Sequence, residues 1–450
     1  MKRIPILRSS AVLRQEYFGG FVFNHFLPPQ LRMDQIRFEI ACMCDGRHSL
    51  QEIHNQVQER LDHSQEYVKL VIQKTLNELE DRFLLYWRDE KIDLNNDFST
   101  IEKKGDSSLR YLSAPLGLIW ELTHACNLKC KHCFSQSGRP EKNELTTQEI
   151  KNAIDSFSES KVFFINFTGG EPMMRGDLFD ILQHATTKKI SIDLSTNGLL
   201  IGQNTIDQLK ETNVFQVQVS IDGLEETHDN LRGPGAFQHA LRSIELLRNN
   251  DLQVVVSATI NKTNIKQASD IIDFTANVGA SIFKITLFAP IGRGGHNKDE
   301  LSLSQEDVRY LATIMATKQD EYGDRLTLHN DNCFPWLLQN SPLYDSNELQ
   351  TKNVCCAAGT SSLFITASGD FVPCPFLRDF VIGNLRDCKF QGIWESDLLN
   401  IFRNLTPNDY KGKCNKCVYL GYKCFGGCRA AAFMKSGDLY GEDPYCYKSE

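Results

Sequence analysis

Cys126, Cys130 and Cys133 stand at a Cys-x3-Cys-x2-Cys spacing, close behind an apolar run, Gly117 to Leu122, that reads as a buried strand. Three thiolates on one tight loop can hold three corners of an iron–sulfur cube, where an ordinary cluster takes four. The remaining metal position is then open, and an open position is where a substrate or cosubstrate binds. Two other chemistries use such thiols. A zinc knuckle needs a fourth Cys or His, which His124 or His132 could supply, and a disulfide loop needs no metal at all.

A second set of cysteines crowds the far end. Cys356 is followed by twelve residues, Gly369, four more and Cys374, and then come Cys414-x2-Cys417-x6-Cys424-x3-Cys428 and Cys446. Of 15 cysteines in the chain, three lie in the first loop, two at Cys42 and Cys44, and ten beyond residue 330. A secreted disulfide protein would be shorter and would carry an export signal. The start, Met1 to Arg8, has charges but no apolar core long enough for one. The expected setting is therefore a reducing, low-oxygen cytoplasm, and the clusters of cysteine read as metal sites, iron–sulfur or a pair of zinc sites. Cys42 and Cys44 fall on a helix that needs apolar residues, so core packing is their expected role.

At 450 residues the chain has room for two or three domains. It is 41% hydrophobic and 24% charged, as ordinary globular proteins are. A net charge of -8 with no basic stripe argues against a nucleic-acid partner. No run of 18 apolar residues exists, so no membrane span is expected.

The elements that must position these cysteines fall into three parts. Residues 1–87 read as a small winged-helix-like module: a hairpin around Gly19-Gly20, a helix from Asp34 to Cys44, and a helix opened by the capping box Ser49-x-x-Glu52 with Ile53, Val57 and Leu61 on one face. A third helix carries Val68, Ile72, Leu76 and Leu79 before the strand-like Phe83 to Tyr86. Residues 88–111 are polar, with little periodicity, and read as a linker. From 112 to 325 strand, turn and helix repeat, with strands expected at Leu116–Leu122, Val162–Phe167, Ile190–Leu194, Phe215–Ile221, Val254–Ile260 and Ile282–Phe288. That alternation predicts an α/β fold with a parallel sheet covered by helices, a partial (β/α)6 barrel two units short of closure. Residues 326–450 form the cysteine-rich end.

Short polar elements follow these strands. Thr168-Gly169-Gly170-Glu171-Pro172 comes after the second, and its glycines let backbone approach a ligand closely. Ser195-Thr196-Asn197-Gly198 comes after the third. Ser220-Ile221-Asp222-Gly223, after the fourth, leads to His228 and Arg232, whose guanidinium fork suits a carboxylate. The cysteine loop and these elements, in this order, resemble the radical S-adenosylmethionine (SAM) superfamily from Leu116 to about Phe288. The resemblance implies that Cys126, Cys130 and Cys133 hold a 4Fe–4S cluster whose open iron chelates SAM. It assigns Gly169, Gly170 and Glu171 to the SAM amino group, Ser195 and Asn197 to the ribose, and Ser220 and Arg232 to the carboxylate. His132 occupies a place where the family usually has an aromatic ring near the adenine. His228 is expected to structure its loop.

The C-terminal spacing resembles the SPASM extension, which carries two auxiliary clusters, although the family's inner spacing of five is six here. By that pattern Cys414, Cys417, Cys424 and Cys446 hold one cluster and Cys356, Cys374 and Cys428 the other. The latter's fourth ligand is Cys355, Cys333 or a substrate atom, and Cys388 fits no site. Residues 1–87 resemble the peptide-recognition domain of modified-peptide pathways, including the pyrroloquinoline-quinone chaperone. Together these resemblances imply three 4Fe–4S clusters, a 5'-deoxyadenosyl radical that takes a hydrogen atom from unactivated carbon, and a ribosomally made precursor peptide as substrate. The layout is similar to the subtilosin-maturing enzymes, which join a cysteine sulfur to a carbon, with flavodoxin or ferredoxin as reductant. The alternatives are carbon–carbon crosslinking or oxidative decarboxylation of a peptide, a haem-biosynthesis oxidoreductase, and a non-catalytic peptide chaperone or electron carrier.

Overall fold

A computed structural model describes residues 4–25, 30–91, 111–330, 356–420, 424 and 426–447. Cys333, Cys355 and most of the expected linker lie outside the described residues.

Strands β1 (Ile4–Leu7), β2 (Ala11–Glu16), β3 (Gly19–Asn24) and β4 (Leu31–Asp34) open the chain. Helices α1 (Gln35–Cys42), α2 (Leu50–Arg60) and α3 (Gln65–Asp81) follow, and β5 (Leu85–Arg88) returns to pair antiparallel with β1. The hairpin turns at Tyr17 and Phe18 rather than at the glycines, because Glu16 pairs with Gly19 and both glycines belong to β3. The Ser49–Glu52 capping box forms, and Ile53, Val57, Val68, Ile72, Leu76 and Leu79 are buried together. Cys44 is in the same core, with its Sγ donating to the Ile40 carbonyl oxygen.

The next part alternates strand and helix: β6 (Gly117–Glu121), α4 (Thr147–Glu159), β7 (Phe164–Thr168), α5 (Leu178–Thr187), β8 (Ser191–Thr196), α6 (Gln203–Glu211) and β9 (Gln216–Ser220). It continues through α7 (Glu225–Arg232), α8 (Ala236–Arg248), β10 (Gln253–Ile260), α9 (Ala268–Asn277) and β11 (Ile282–Leu287). All six expected strands are present and parallel, each within two or three residues of its expected ends. Two short helices, α10 (Gly292–His296) and α11 (Lys298–Leu301), precede α12 (Gln305–Tyr322) and an additional parallel strand, β12 (Thr327–Asn330). On the other flank β13 (Ser362–Ile365) pairs parallel with β6, and β14 (Asp370–Val372) and β15 (Gly383–Asn384) continue antiparallel. The cysteine-rich part therefore extends the barrel sheet. It is completed by α13 (Phe390–Trp394), α14 (Asn400–Arg403) and α15 (Arg429–Ser436).

Side chains alternate along each strand. One set, including Ile165, Phe167, Leu194, Val217 and Val219, is buried under the helices. The other set is polar: Asn166, Ser195, Gln218, Ser220, Ser257, Thr259, Lys284 and Thr286 face a cavity of about 420 Å³. A closed barrel of this type is normally packed with branched apolar residues. The polar lining marks a space for a ligand.

The N-terminal module docks at the opposite, N-terminal ends of the strands. Phe21 and Phe23 pack on Phe163, with Phe23 stacked 4.8 Å from its ring. Arg14 is buried there and donates to the backbone oxygens of Pro115 at 2.9 Å and Lys161 at 3.0 Å. Its ion-pair partner Glu16 accepts from the Ser113 N–H at 2.9 Å.

Candidate functional site

The loop carrying Cys126, Cys130 and Cys133 leaves the C-terminal end of β6 and is held from three sides. Behind it, Gly170 N–H donates to the Thr123 carbonyl at 2.8 Å and Glu171 N–H to the Ala125 carbonyl at 2.7 Å. A Cβ on Gly169 would stand 2.7 Å from Thr123 O, and one on Gly170 would overlap the Ala125 carbonyl. The glycine pair thus lets two backbones touch. At its base, Glu144 accepts from the His124 N–H at 2.7 Å and from the Thr123 hydroxyl. In front, Arg293 donates Nε to the Cys130 carbonyl at 2.8 Å and Nη2 to the Ser137 carbonyl at 3.2 Å. Asn297 donates to the Lys131 carbonyl at 2.9 Å, and a Cβ on Gly292 would overlap the Phe134 carbonyl. This clamp, from α10 and the residue that caps it, has no counterpart among the expected site residues. Its one sequence signal is Gly292-Arg293-Gly294-Gly295, a few residues after the sixth strand.

All three thiols line the cavity, as do His132, Gly169, Gly170, Ser195, Asn197, Ser220 and Arg232. Glu171, expected among the ligand contacts, is not in that lining. It is fully buried, accepting from the Asn197 N–H at 2.8 Å, the Thr196 hydroxyl at 2.9 Å and the Met173 N–H at 3.1 Å. Its geometry is that of a brace between the second and third strand-end loops. Asn197 donates to Asn127 at 2.7 Å, and Ser195 donates to Asn166 at 2.9 Å.

Asp222 organises the cavity's charged wall. It is fully buried; Arg232 Nε donates to its Oδ2 at 2.5 Å, and His132 Nε2 lies 3.2 Å from the same oxygen. Burial alone would raise the Asp222 carboxyl, but Arg232 and His132 outweigh it and hold it far below the usual carboxylate range. Burial would likewise lower Arg232, and Asp222 and Cys130 instead raise it. His228 accepts from the Asp222 N–H through Nδ1 at 3.0 Å, a loop-structuring contact. The Nδ1 of His132 is buried without a partner.

The residues present suit an iron–sulfur cluster and SAM. Three thiols share a cavity with a fixed cation, an imidazole with an unused ring nitrogen, and the backbone of Gly169 and Gly170. Burial raises the Cys126 thiol and pushes Cys130 up to about 11. Bound iron reverses that preference, since a metal charge deprotonates the thiols that ligate it. Among the described residues no disulfide joins the cysteines, and no three His, Cys, Asp or Glu side chains converge on one point as a single metal ion would require.

The C-terminal cysteines separate into two groups. Cys356, Cys374 and Cys428 line the same cavity as the first loop and lie within one another's electrostatic reach. Burial pushes Cys428 up to about 12 and Cys374 well up. Cys414, Cys417, Cys424 and Cys446 lie outside that cavity and interact among themselves. Cys388 is exposed. The cysteine loop and the C-terminal part meet where Phe134 packs edge-on against Phe376, 5.6 Å apart, and Arg378 pairs with Glu121 at the end of β6.

Residues 120–275 match the Radical SAM superfamily, and residues 355–418 match SPASM, an iron-sulfur cluster-binding domain. The mycofactocin maturase MftC of Mycolicibacterium smegmatis is 36% identical over 342 residues, covering 75% of this chain and 84% of its own length. An AdoMet-dependent heme synthase of Oleidesulfovibrio alaskensis is 35% identical over 347 residues, covering 73% of this chain and 86% of its own. The solved structure of Streptococcus suis SuiB bound to S-adenosylmethionine has a TM-score of 0.72 at 19% identity, covers 98% of this chain and 100% of its own, and shares the fold. No helix among the described residues is long and apolar enough to cross a membrane. The three-cysteine loop, the glycine pair that seats it and these matches have one meaning: the chain belongs to the radical SAM superfamily, with SAM and iron–sulfur clusters as its cofactors and a SPASM domain at its C-terminal end.

Proposed function

We propose that this enzyme modifies a ribosomally made precursor peptide and forms a thioether between a cysteine sulfur and a carbon. The observation that carries the reading is a single cavity shared by Cys126, Cys130 and Cys133 at one end and Cys356, Cys374 and Cys428 at the other. When bound, the cofactors supply a radical able to take a hydrogen atom from carbon, an iron position for a thiolate and an acceptor for an electron. The chain's own residues do the rest. Arg232 and Ser220 bind the SAM carboxylate, with Arg232 oriented by Asp222, and Asn197 and Ser195 face the ribose. Gly169 and Gly170 would present backbone to the amino group, and His132 would supply a flat ring for the adenine. We take the fourth ligand position beside Cys356, Cys374 and Cys428 as the place for a substrate thiolate; Cys355 and Cys333, the protein alternatives, lie outside the described residues. Phe134 and Phe376, which both line the cavity, supply apolar surface there.

The likeness to MftC, a maturase, and to SuiB, solved with its precursor peptide SuiA, supports a peptide substrate. In the N-terminal module β4 is the edge of a three-stranded sheet and, among the described residues, pairs only with β3. An extended leader can add there as a further strand. Because the module docks at the N-terminal strand ends, a leader held on it has to span the barrel's height. That is roughly 17–20 Å, or about six extended residues. Flavodoxin or ferredoxin is the proposed reductant. The heme-synthase relative makes a porphyrin substrate the competing reading.

Precursor peptide deuterated at carbon decides between them. Incubated with reconstituted enzyme, SAM and reductant, it should pass deuterium to 5'-deoxyadenosine. Label-free 5'-deoxyadenosine formed at an undiminished rate would contradict a peptide substrate. Deleting residues 1–87 should weaken leader binding and leave peptide-independent SAM cleavage intact.

A further inference from the structure

One buried guanidinium beside the C-terminal cysteines has donors to spare. Arg429 opens α15 directly after Cys428 and is 1% exposed. Its Nη1 donates to the backbone oxygens of Leu439 and Gly441, both at 2.9 Å, and its Cζ lies 4.7 Å from the centre of the Tyr410 ring. Nε and Nη2 are buried with no partner. A buried donor without an acceptor costs about 1–3 kcal/mol, and more when charged. Such an arrangement persists where another acceptor completes it. Two carboxylates lie within the guanidinium's electrostatic reach, and both are engaged: Asp443 accepts from the backbone N–H groups of Cys428 at 2.5 Å and Tyr445 at 2.8 Å, and Asp438 from Lys411 Nζ at 2.6 Å and the Tyr440 N–H at 2.9 Å. Arg429 lines the same cavity as Cys356, Cys374 and Cys428. Its charge also reaches Cys414 in the second group.

We propose that Arg429 is a positioning residue for the cluster on Cys356, Cys374 and Cys428, donating Nε and Nη2 to sulfur and raising that cluster's reduction potential. The inference rests on the reading of these cysteines as cluster ligands. Iron–sulfur potentials follow net charge, hydrogen bonds to sulfur and exposure. A fixed cation and two N–H donors in a dry site each favour the reduced, more negative cluster. The Leu439 and Gly441 carbonyls hold the fork in place. They also tie α15 to the segment that carries Cys446, so one side chain touches the supports of both groups.

The test uses the full chain with Cys126, Cys130 and Cys133 changed to Ala, so that only C-terminal clusters titrate with dithionite. Arg429→Met should bind the same iron and show a lower midpoint potential for the cluster that a further Cys374→Ala change removes. Arg429→Lys, which keeps the charge but loses the fork, should fall between. Equal potentials in all three proteins overturn the proposal. Pulsed EPR of the parent grown with nitrogen-15 arginine provides a measurement that does not depend on the Met variant assembling. A nitrogen-15 coupling on the reduced cluster, lost in Arg429→Lys, supports the assignment, and a parent spectrum without it overturns it. A parent with no iron on its C-terminal cysteines refutes the cluster reading itself.

Discussion

Arg232 and Asp222 form a buried ion pair, with Arg232 Nε 2.5 Å from Asp222 Oδ2, and the guanidinium faces the cavity that also holds Cys126 and Cys130. The carboxylate fixes the direction of the fork, since its charge is fully desolvated and it is itself held by the Thr259 N–H, which donates to Oδ1 at 2.7 Å. His132 shares the same oxygen at 3.2 Å, so one carboxylate orients two cavity-facing side chains.

Asp222→Asn should therefore free both residues at once. Breaking a buried pair costs about 3–5 kcal/mol in stability. The variant should still bind iron on Cys126, Cys130 and Cys133, and SAM affinity, measured by calorimetry on reconstituted protein, should fall at least about tenfold, the equivalent of 1.4 kcal/mol. An unchanged affinity would show that Arg232 does not need its partner to bind SAM.

Gly170→Ala should break the contact between the second strand-end loop and the cysteine loop, because the new methyl overlaps the Ala125 carbonyl. The expected product is a folded protein that keeps iron on its C-terminal cysteines and loses the cluster on the first loop. Iron analysis with EPR of the SAM-bound state checks it. Full occupancy of the first site would mean that the loop shifts to accept the methyl.

Much of this arrangement was legible in the sequence. The six strands betray themselves by alternation, as in Ile165 and Phe167 against Asn166, because one face is covered by helices and the other by a polar cavity. β12 and β13 escaped notice since each is four residues long, and β13 lies among cysteines whose spacing dominates the pattern. The clamp by Arg293 and Asn297 acts on backbone carbonyls, which leave no complementary side-chain motif. Glu171 is expected among the ligand contacts through the family resemblance of its Gly-Gly-Glu-Pro element. Only the fold shows its carboxylate turned towards Thr196 and Asn197.

Asp193 supplies a pH test outside the cysteine sites. Burial pushes its carboxyl up to about 6, with Gln216 and Lys284 opposing the rise, from about 3.9 in an unfolded chain. The folded state thus holds the proton more tightly. The stability it contributes is complete below the unfolded value and is lost as pH rises through 6. Asp193→Asn, which cannot ionise, should raise the melting temperature at pH 7–8, by a stabilisation of up to roughly 3 kcal/mol. Near pH 4 it should change little. A destabilised variant at neutral pH would mean that the Asp193 charge is needed where it lies.

The thioether itself is tested most directly by one measurement: mass spectrometry of a cysteine-containing precursor after anaerobic incubation with reconstituted enzyme, SAM and reductant, with and without alkylation of free thiols. The account predicts a product lighter by one pair of hydrogen atoms per link, with one cysteine per link resistant to alkylation, and no such product from the Cys126→Ala, Cys130→Ala, Cys133→Ala protein. A lighter product in which every cysteine still alkylates would contradict it and point to a carbon–carbon bond.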